Sequence, residues 1–191
     1  MTSLAQSLPA ATFAQGSLAR RAAAVLAGTA FLAAMAQITV PMYPVPMTMQ
    51  TFAVMLIGAF CGWRLAGETV LAYIAEAAVG LPVLAGGASG IAKLVGPTGG
   101  YILGFVLGAA LIGYLAERGW HRSLGGLVAS LSLGHLLVFI PGVLWLASFF
   151  GFEGDKGAIV LGLTPFIVGS VVKTGLAAAS VLAARQLNNA V

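Results

Sequence analysis

Six apolar segments, separated by short stretches rich in proline, glycine or charged residues, make up most of this chain. They are residues 22–40, 48–63, 67–84, 98–116, 124–148 and 158–184. A straight helix needs about 20 mostly apolar residues to cross a bilayer, so these lengths predict six transmembrane helices. The second segment is short and the last two are long, which favours tilts, kinks or loops that dip inward. We therefore predict an all-α integral membrane protein.

The low content of charged residues excludes a water-soluble domain. Of the 191 residues, 60% are hydrophobic and 7% are charged, whereas soluble domains carry about 25% charged residues. The net charge of +4 does not indicate a nucleic-acid partner, because the charges lie at the ends of the apolar segments and form no basic patch. The single cysteine, Cys61, excludes an internal disulfide and argues against a cysteine-ligated metal, so we expect no metal site.

The distribution of arginine predicts the orientation of the chain. With the N-terminus in the cytoplasm, six spans place every arginine on the cytoplasmic side: Arg20, Arg21, Arg64, Arg118, Arg122 and Arg185. The outer loops then receive only Lys93 and Lys156 as basic residues. This agrees with the positive-inside rule. We predict a multi-pass protein of the bacterial cytoplasmic membrane, with both termini in the cytoplasm and membrane lipid around it.

The chain divides into an N-terminal tail and one membrane domain. Residues 1–17 are polar or small and predict a disordered cytoplasmic segment, whereas residues 18–187 form the predicted six-helix domain. The first apolar segment also resembles a secretory signal, because it follows Arg20 and Arg21 and ends near a possible cleavage site at residues 34–36. A retained helix is favoured, since its removal would spoil the charge distribution.

Lys173 is the only formally charged residue between residues 157 and 184. A lysine at bilayer depth costs about 2.5–3.5 kcal/mol on insertion scales, so such residues usually mark a pathway or a site. Glu76 is the only carboxylate deep inside a span. The two residues could form an ion pair that closes the bundle, or both could line one polar pocket with a ligand between them. We favour the pocket.

Two further stretches carry polar groups near the outer ends of spans. In residues 96–101, one proline and three glycines predict a tight turn in which the backbone N–H groups of Gly99 and Gly100 approach a ligand, although a plain helix start is an equal alternative. Thr48 and Gln50 are two residues apart and do not share a helical face. They converge only if the stretch is extended or kinked, as the preceding prolines favour.

Four other residues have one functional and one structural interpretation. Tyr101 and Trp145 could be pocket walls or residues of an interfacial aromatic belt. Lys93 could meet an anionic group of a ligand, although a solvated loop lysine is the simpler interpretation. His135 lies in mid-span without a nearby carboxylate or cysteine in the sequence, which favours a hydrogen-bonded core histidine over a metal ligand.

Several stretches together resemble the BioY family, the biotin-binding S components of energy-coupling factor (ECF) transporters. They are residues 45–52, 80–83, 96–101, 104–105 and 162–166, followed by Gly169 and Lys173. They occur in the family order and spacing over roughly residues 20–187. The resemblance implies a six-helix S-component fold that binds biotin from the outside. It also implies that a membrane T component and two ABC-type ATPases supply the energy, since this chain lacks a phosphate-binding loop and needs no cofactor of its own.

The resemblance also assigns residues to roles. It implies that the A-x-x-x-A spacing of the first helix docks onto the T component, and the fitting residues are Ala23, Ala27, Ala30 and Ala34. Internal packing and contact with a second copy are alternatives, because small residues serve any close helix contact. Family members commonly carry an acidic residue three positions before the lysine of the last span, where this chain has Ser170.

For the ligand, we expect Lys173 and Ser170 at a polar end of biotin, with Thr48, Gln50 and Glu76 as second choices. Glu76 could replace the missing carboxylate. Tyr101 and the loop 86–96 would cover the other end, with the loop as a lid.

Two other functions fit parts of the sequence. An intramembrane serine protease could use Ser89, in a G-x-S-G stretch, with His135 as its base, but no oxyanion hole stands out. A self-sufficient, oligomeric carrier of biotin or another vitamin could move the ligand without ATPase partners.

Overall fold

The computed structural model describes residues 17–154 and 156–189, so the predicted disordered tail, apart from Ser17, lies outside the described residues. The helices are α1 (Leu18–Gln37), α2 (Gln50–Ala78), α3 (Ile91–Leu94), α4 (Gly99–Glu117), α5 (Leu124–Phe150), α6 (Ala158–Gly162) and α7 (Phe166–Asn189). Two short antiparallel strands, β1 (Thr39–Val40) and β2 (Met47–Thr48), follow α1. The predicted helical class is confirmed.

The long helix α2 is a hairpin of two helical arms. At Gly62 the backbone leaves the helical region (φ 75°, ψ 169°), a conformation that glycine adopts without steric cost. The side chains of Gln50 and Tyr73 are 2.8 Å apart, although a straight helix would separate these residues by about 35 Å at 1.5 Å per residue. The chain therefore reverses direction at Gly62, and the predicted segments 48–63 and 67–84 correspond to the two arms.

Five helical segments in the described residues are long and apolar enough to cross a membrane. They are α1, α2, α4, α5 and the segment Ala158–Leu187, which contains α6 and α7. The count becomes six when the arms of α2 are counted separately. Two predicted boundaries need correction. The helix of the third segment ends at Ala78 and not at residue 84. The sixth segment is divided into α6 and α7 at Pro165, which has no backbone N–H to donate to a helical hydrogen bond.

A stripe of glycines brings α4 and α5 into close contact. Gly100, Gly104 and Gly108 repeat every four residues on α4 and face α5. A methyl group added to Gly104 would lie 2.7 Å from the carbonyl oxygen of Val138. Small residues at such positions allow two backbones to approach closely in a membrane, so the glycines of this region serve helix packing.

Helix α1 packs on the bundle through one narrow face. Its buried residues are Thr29, Leu32 and Ala36. The four alanines of the predicted docking stripe, Ala23, Ala27, Ala30 and Ala34, are all exposed. Since α-helical residues advance by about 100° each, the stripe lies almost opposite the buried face. Internal packing therefore does not explain the stripe in the described part of the chain.

The arginines gather at one end of the bundle. Arg21 of α1 forms an ion pair with Glu68 of the second α2 arm, in which one guanidinium nitrogen donates to both carboxylate oxygens (2.7 and 2.9 Å). At the hairpin reversal, the backbone N–H of Trp63 donates to Glu117 of α4 (3.2 Å), and Arg64 lies over the ring of Trp63. These contacts join three elements at the end where the sequence predicts a cytoplasmic surface.

His121 lies in the turn between α4 and α5 at this same end. It is buried, and its Nε2 lies 2.8 Å from the hydroxyl of Ser130. Since the Ser130 hydroxyl donates to the carbonyl of Leu127 (2.8 Å), its oxygen accepts from His121 and the proton of the neutral ring lies on Nε2. The Nδ1 atom is buried without a hydrogen-bond partner among the described residues. Burial, together with the positive charge of Arg185, lowers the pKa of His121 to about 4.

This histidine makes the stability of the fold depend on pH. An unfolded histidine has a pKa of about 6.5, so below that pH the unfolded chain binds a proton that the folded chain does not. The free energy of unfolding should therefore fall as the pH decreases from about 6.5 to 4, with no contribution above this window. We expect His121→Gln to make this part of the pH profile of thermal unfolding in detergent less steep. Ser130→Ala, which keeps the histidine, should retain the slope, and equal slopes in wild type and His121→Gln would contradict this assignment.

Candidate ligand-binding site

A cavity opens between the first arm of α2, the turn at residues 84–85, and helices α4, α5 and α7. It encloses about 660 Å³ of empty space when its open mouth is included. Most of its wall is apolar or aromatic, including Leu84, Ile102, Phe105, Val138, Phe139 and Phe166. A smaller polar cluster consists of Thr48, Gln50, Thr51, Ser170 and Lys173. An apolar pocket with a few placed polar groups is typical of small-molecule sites.

Lys173 lies two turns after the beginning of α7 and is only 6% exposed. Its ammonium donates to the backbone carbonyl of Thr48 (2.9 Å) and to the hydroxyl of Thr51 (3.0 Å). Lysine has three N–H donors, so one is left for a further acceptor. No carboxylate pairs with Lys173 in the described residues, where the Arg21–Glu68 pair is the only salt bridge. The ammonium is therefore held by neutral oxygens at the cavity wall.

Glu76 is not placed as predicted. It is half-buried on the second arm of α2, forms no ion pair with Lys173, and is not among the residues that line the cavity. The ammonium instead lies at the beginning of the first arm, where Thr48 and Thr51 hold it. The predicted ion pair, and the pocket shared by both charges, are therefore wrong.

Thr48 and Gln50 converge as the sequence predicted, because Thr48 ends β2 and Gln50 begins α2. The Thr48 hydroxyl donates to the side-chain oxygen of Gln50 (3.0 Å). The amide nitrogen of Gln50 donates to the Tyr73 hydroxyl (2.8 Å), which donates to the carbonyl of Val83 (2.7 Å). The residue that extends from the second arm to this polar cluster is Tyr73. No local pattern in the sequence marked this residue as part of the site, although a buried tyrosine hydroxyl usually requires a partner.

Tyr101 forms part of the cavity wall and joins two elements across it. Its ring stacks on Phe166 at a centroid distance of 6.2 Å, and its hydroxyl donates to the carbonyl of Gly162 (2.8 Å). It is nearly completely buried. The hydrogen bond ties the first turn of α4 to the end of α6, so Tyr101 fixes one side of the cavity.

Gly99, Gly100 and Trp145 do not line the cavity. Gly99 packs against the carbonyl of Leu94, and Gly100 packs against Trp145. The Trp145 indole N–H donates to the carbonyl of Gly96 (3.0 Å). The predicted backbone cradle is thus absent from the described cavity wall. The glycines are needed because α5 and the preceding turn leave no room for a Cβ atom, and Trp145 holds that turn in place.

Lys93 and Ser170 both line the cavity, at different depths. Lys93 is exposed on the short helix α3, so its side chain lies at the mouth. Ser170 lies one helical turn before Lys173 and is half-buried. The predicted lid segment, residues 86–96, adjoins this mouth.

The sequence of this chain matches a known protein family. The model of the BioY family matches residues 5–190. The chain belongs to the BioY family. The probable biotin transporter BioY of Pyrococcus horikoshii is 41% identical over 80% of this chain and 86% of that protein. The biotin transporter BioY of Thermotoga maritima is 38% identical over 83% of this chain and 92% of that protein.

A solved structure agrees with this membership. The crystal structure of the S component for biotin from an ECF-type ABC transporter is similar to this BioY-family chain with a TM-score of 0.72 and 27% sequence identity. The similarity covers 90% of this chain and 95% of that one. The predicted family and fold class are confirmed, and the number of spans is five or six according to how the α2 hairpin is counted.

Family membership and geometry also remove the predicted protease alternative. The relatives are transporters, so this BioY-family chain is a transport protein and not an enzyme. The Nδ1 of His135 lies 3.1 Å from the hydroxyl of Thr174, and its ring stacks on Phe139 behind the cavity wall. His135 is therefore the hydrogen-bonded core histidine that the sequence favoured, and its described partner is not Ser89.

Proposed function

We propose that this chain captures biotin in its cavity and carries it across the membrane as the S component of an ECF-type transporter. The observation that supports this most directly is the buried ammonium of Lys173, held by neutral oxygens in an otherwise apolar cavity. A buried cation with a spare donor favours a ligand that brings an acceptor. The biotin transporters among the relatives supply the identity of that ligand.

The two cations of the cavity suggest how biotin is oriented. Lys173 lies deep among neutral donors and acceptors, which suits the uncharged ureido head with its carbonyl and two N–H groups. Lys93 lies at the exposed mouth, which suits the carboxylate tail because that charge then keeps part of its hydration. The aromatic side chains between them, Phe139, Phe166 and Tyr101, provide apolar surface for the sulfur ring.

Ser170 changes the electrostatics next to Lys173. An acidic residue one turn before the lysine would be close enough for an ion pair. A serine brings no such charge, so in this chain the third N–H of Lys173 stays available to the ligand. Ser170 adds a small hydroxyl beside it at the cavity wall.

The two ends of α1 support the predicted orientation in the membrane. Arg20 and Arg21 lie at its beginning. At its end, the side-chain amide of Gln37 donates a hydrogen bond to the carbonyl of Leu84 (3.2 Å) and accepts one from the N–H of Gly87 (3.1 Å). A helix of 20 residues is about 30 Å long. The arginine-rich end and the cavity mouth are therefore on opposite sides of the bilayer. By the positive-inside rule the termini are cytoplasmic, and the mouth of the cavity opens on the outer side of the cytoplasmic membrane.

The exposed alanine stripe of α1 supports docking onto a membrane partner. The chain has no phosphate-binding loop, so ATP would be used by partner ATPases. Ala23, Ala27, Ala30 and Ala34 form a smooth outward face on which a helix of a T component can pack closely. The alternative occupant of this face is a second copy of the chain, as in a self-sufficient carrier.

Binding of biotin by purified protein tests the function directly. Isothermal titration in detergent should show saturable binding of biotin and none of thiamine. Lys173→Met keeps the apolar stem and removes the donor, so we expect the dissociation constant to rise about 10- to 150-fold, as for a lost charged hydrogen bond of roughly 1.5–3 kcal/mol. Lys156→Met, the same change at an exposed loop position, should bind like wild type. Absence of biotin binding in the wild type would overturn the proposed function, and unchanged affinity in Lys173→Met would remove this lysine from the site.

The orientation of biotin is tested with its methyl ester, which lacks the carboxylate charge. Lys93→Gln should weaken binding of biotin about 1.5- to 5-fold, the effect of a solvent-exposed charge pair. The loss should shrink at high salt, because exposed charges are screened. Binding of the ester should be the same in wild type and Lys93→Gln. An equal loss for acid and ester would place the carboxylate elsewhere.

The docking role of the stripe is tested by enlarging it. The double variant Ala27→Leu/Ala30→Leu should lose most co-purification with the T component and ATPases and keep the biotin affinity of wild type, since the stripe lies on the outer face of α1. Ala22→Leu, exposed on the same helix but outside the stripe, is the control. Retained co-purification together with loss of copy-to-copy crosslinks would instead support the oligomeric carrier.

A further inference from the structure

Tyr73 is the centre of a hydrogen-bonded chain behind the cavity. It is 0% exposed and is not among the residues that line the cavity. Its hydroxyl joins Gln50, which lines the cavity, to the backbone of Val83, next to the cavity-lining Leu84. Any influence of Tyr73 on a ligand must therefore pass through these neighbours.

The carbonyl of Val83 sets the direction of every bond in this chain. A carbonyl oxygen only accepts, so the single proton of the Tyr73 hydroxyl is committed to Val83 (2.7 Å). The Tyr73 oxygen can then only accept from its other neighbour, which requires the amide nitrogen of Gln50 on that side (2.8 Å). The side-chain oxygen of Gln50 consequently lies on the side of Thr48, whose hydroxyl donates to it (3.0 Å).

This direction places an acceptor beside a donor at the cavity wall. Thr48 connects the two, because its hydroxyl binds the oxygen of Gln50 and its carbonyl binds the ammonium of Lys173 (2.9 Å). The oxygen of Gln50 retains a second lone pair, and Lys173 retains one N–H. A group that carries an N–H next to a C=O, such as a cyclic urea, can satisfy both at once.

We propose that Tyr73 is a positioning residue for ligand selectivity, because it holds the Gln50 amide with its oxygen as the acceptor beside the Lys173 donor. This inference rests on the proposed function, since biotin carries such a urea. Without the tyrosine hydroxyl, the side-chain amide of Gln50 can flip and exchange the positions of its oxygen and nitrogen. Its N–H groups would then face the N–H of the ligand. Two donors would then face each other, and the site would lose its preference for a ligand N–H.

The test compares biotin with isosteric analogues in which a ring oxygen replaces one ureido N–H. Wild type should prefer biotin over at least one of the two cyclic carbamates by about 10-fold or more, since a buried acceptor is otherwise left unpaired. In Tyr73→Phe, which keeps the ring in its packed position, this preference should fall to about 2-fold or less. Tyr114→Phe removes a hydroxyl from an exposed tyrosine and should keep the wild-type preference.

A double-mutant cycle distinguishes positioning from general stabilisation. Gln50→Leu should abolish the preference by itself, and Tyr73→Phe in that background should change the ratio of the two affinities no further. A tyrosine that only supports the fold would weaken both ligands alike in either background and leave the ratio unchanged. Gln50→Leu retains Tyr73, so it tests the acceptor role of Gln50, on which the proposal depends, even if Tyr73→Phe does not fold.

The outcomes separate this inference from the proposed function. Absence of biotin binding in wild type overturns the proposed function. Binding of biotin with a preference that persists in Gln50→Leu, or in folded Tyr73→Phe, overturns the role of Tyr73 and leaves biotin capture intact.

Discussion

The ammonium of Lys173 connects the last helix of the bundle to the beginning of the α2 hairpin. Its two bonds, to the carbonyl of Thr48 and the hydroxyl of Thr51, hold α7 against the place where β2 becomes α2. A charge in this environment is stable only where oxygens surround it. Thr48 also begins the polar chain through Gln50 to Tyr73, because its hydroxyl donates to the side-chain oxygen of Gln50. The position of one cation therefore organises the polar side of the cavity.

The opposite wall of the cavity depends on close helix packing. The glycines of α4 let its backbone approach α5, as the contact of Gly104 with Val138 shows. This approach brings Tyr101 and Phe139 into edge contact at a centroid distance of 6.4 Å. The hydroxyl of Tyr101 then extends to Gly162 and joins the wall to α6. Packing of small residues thus creates a rigid aromatic surface opposite a hydrogen-bonded polar one.

Much of this site was predictable from local features of the sequence. A lone lysine in an apolar segment predicted Lys173, and the prolines before the second segment predicted that Thr48 and Gln50 converge. Lys93, Ser170 and Tyr101 were also predicted, and all line the cavity. Their ligand contacts remain predictions. Glu76 was misplaced because the sequence shows the depth of a residue in a span but not the neighbour that its side chain meets. Tyr73 was missed for the same reason, since its partners are 23 and 10 residues away.

The sequence was enough to predict the membrane class, the approximate positions of the helices, the end that carries the arginines, and the family. These follow from hydropathy, charge placement and ordered motifs, which are local properties of the chain. Three features are visible only in the folded chain. Gly62 reverses α2, Gly100 packs against Trp145 and not at the cavity wall, and Tyr73 joins Gln50 to Val83. Each of these depends on which groups meet across the bundle. In an interior without water a buried polar group must find its partner in another helix or loop, and the sequence of one segment does not specify which one.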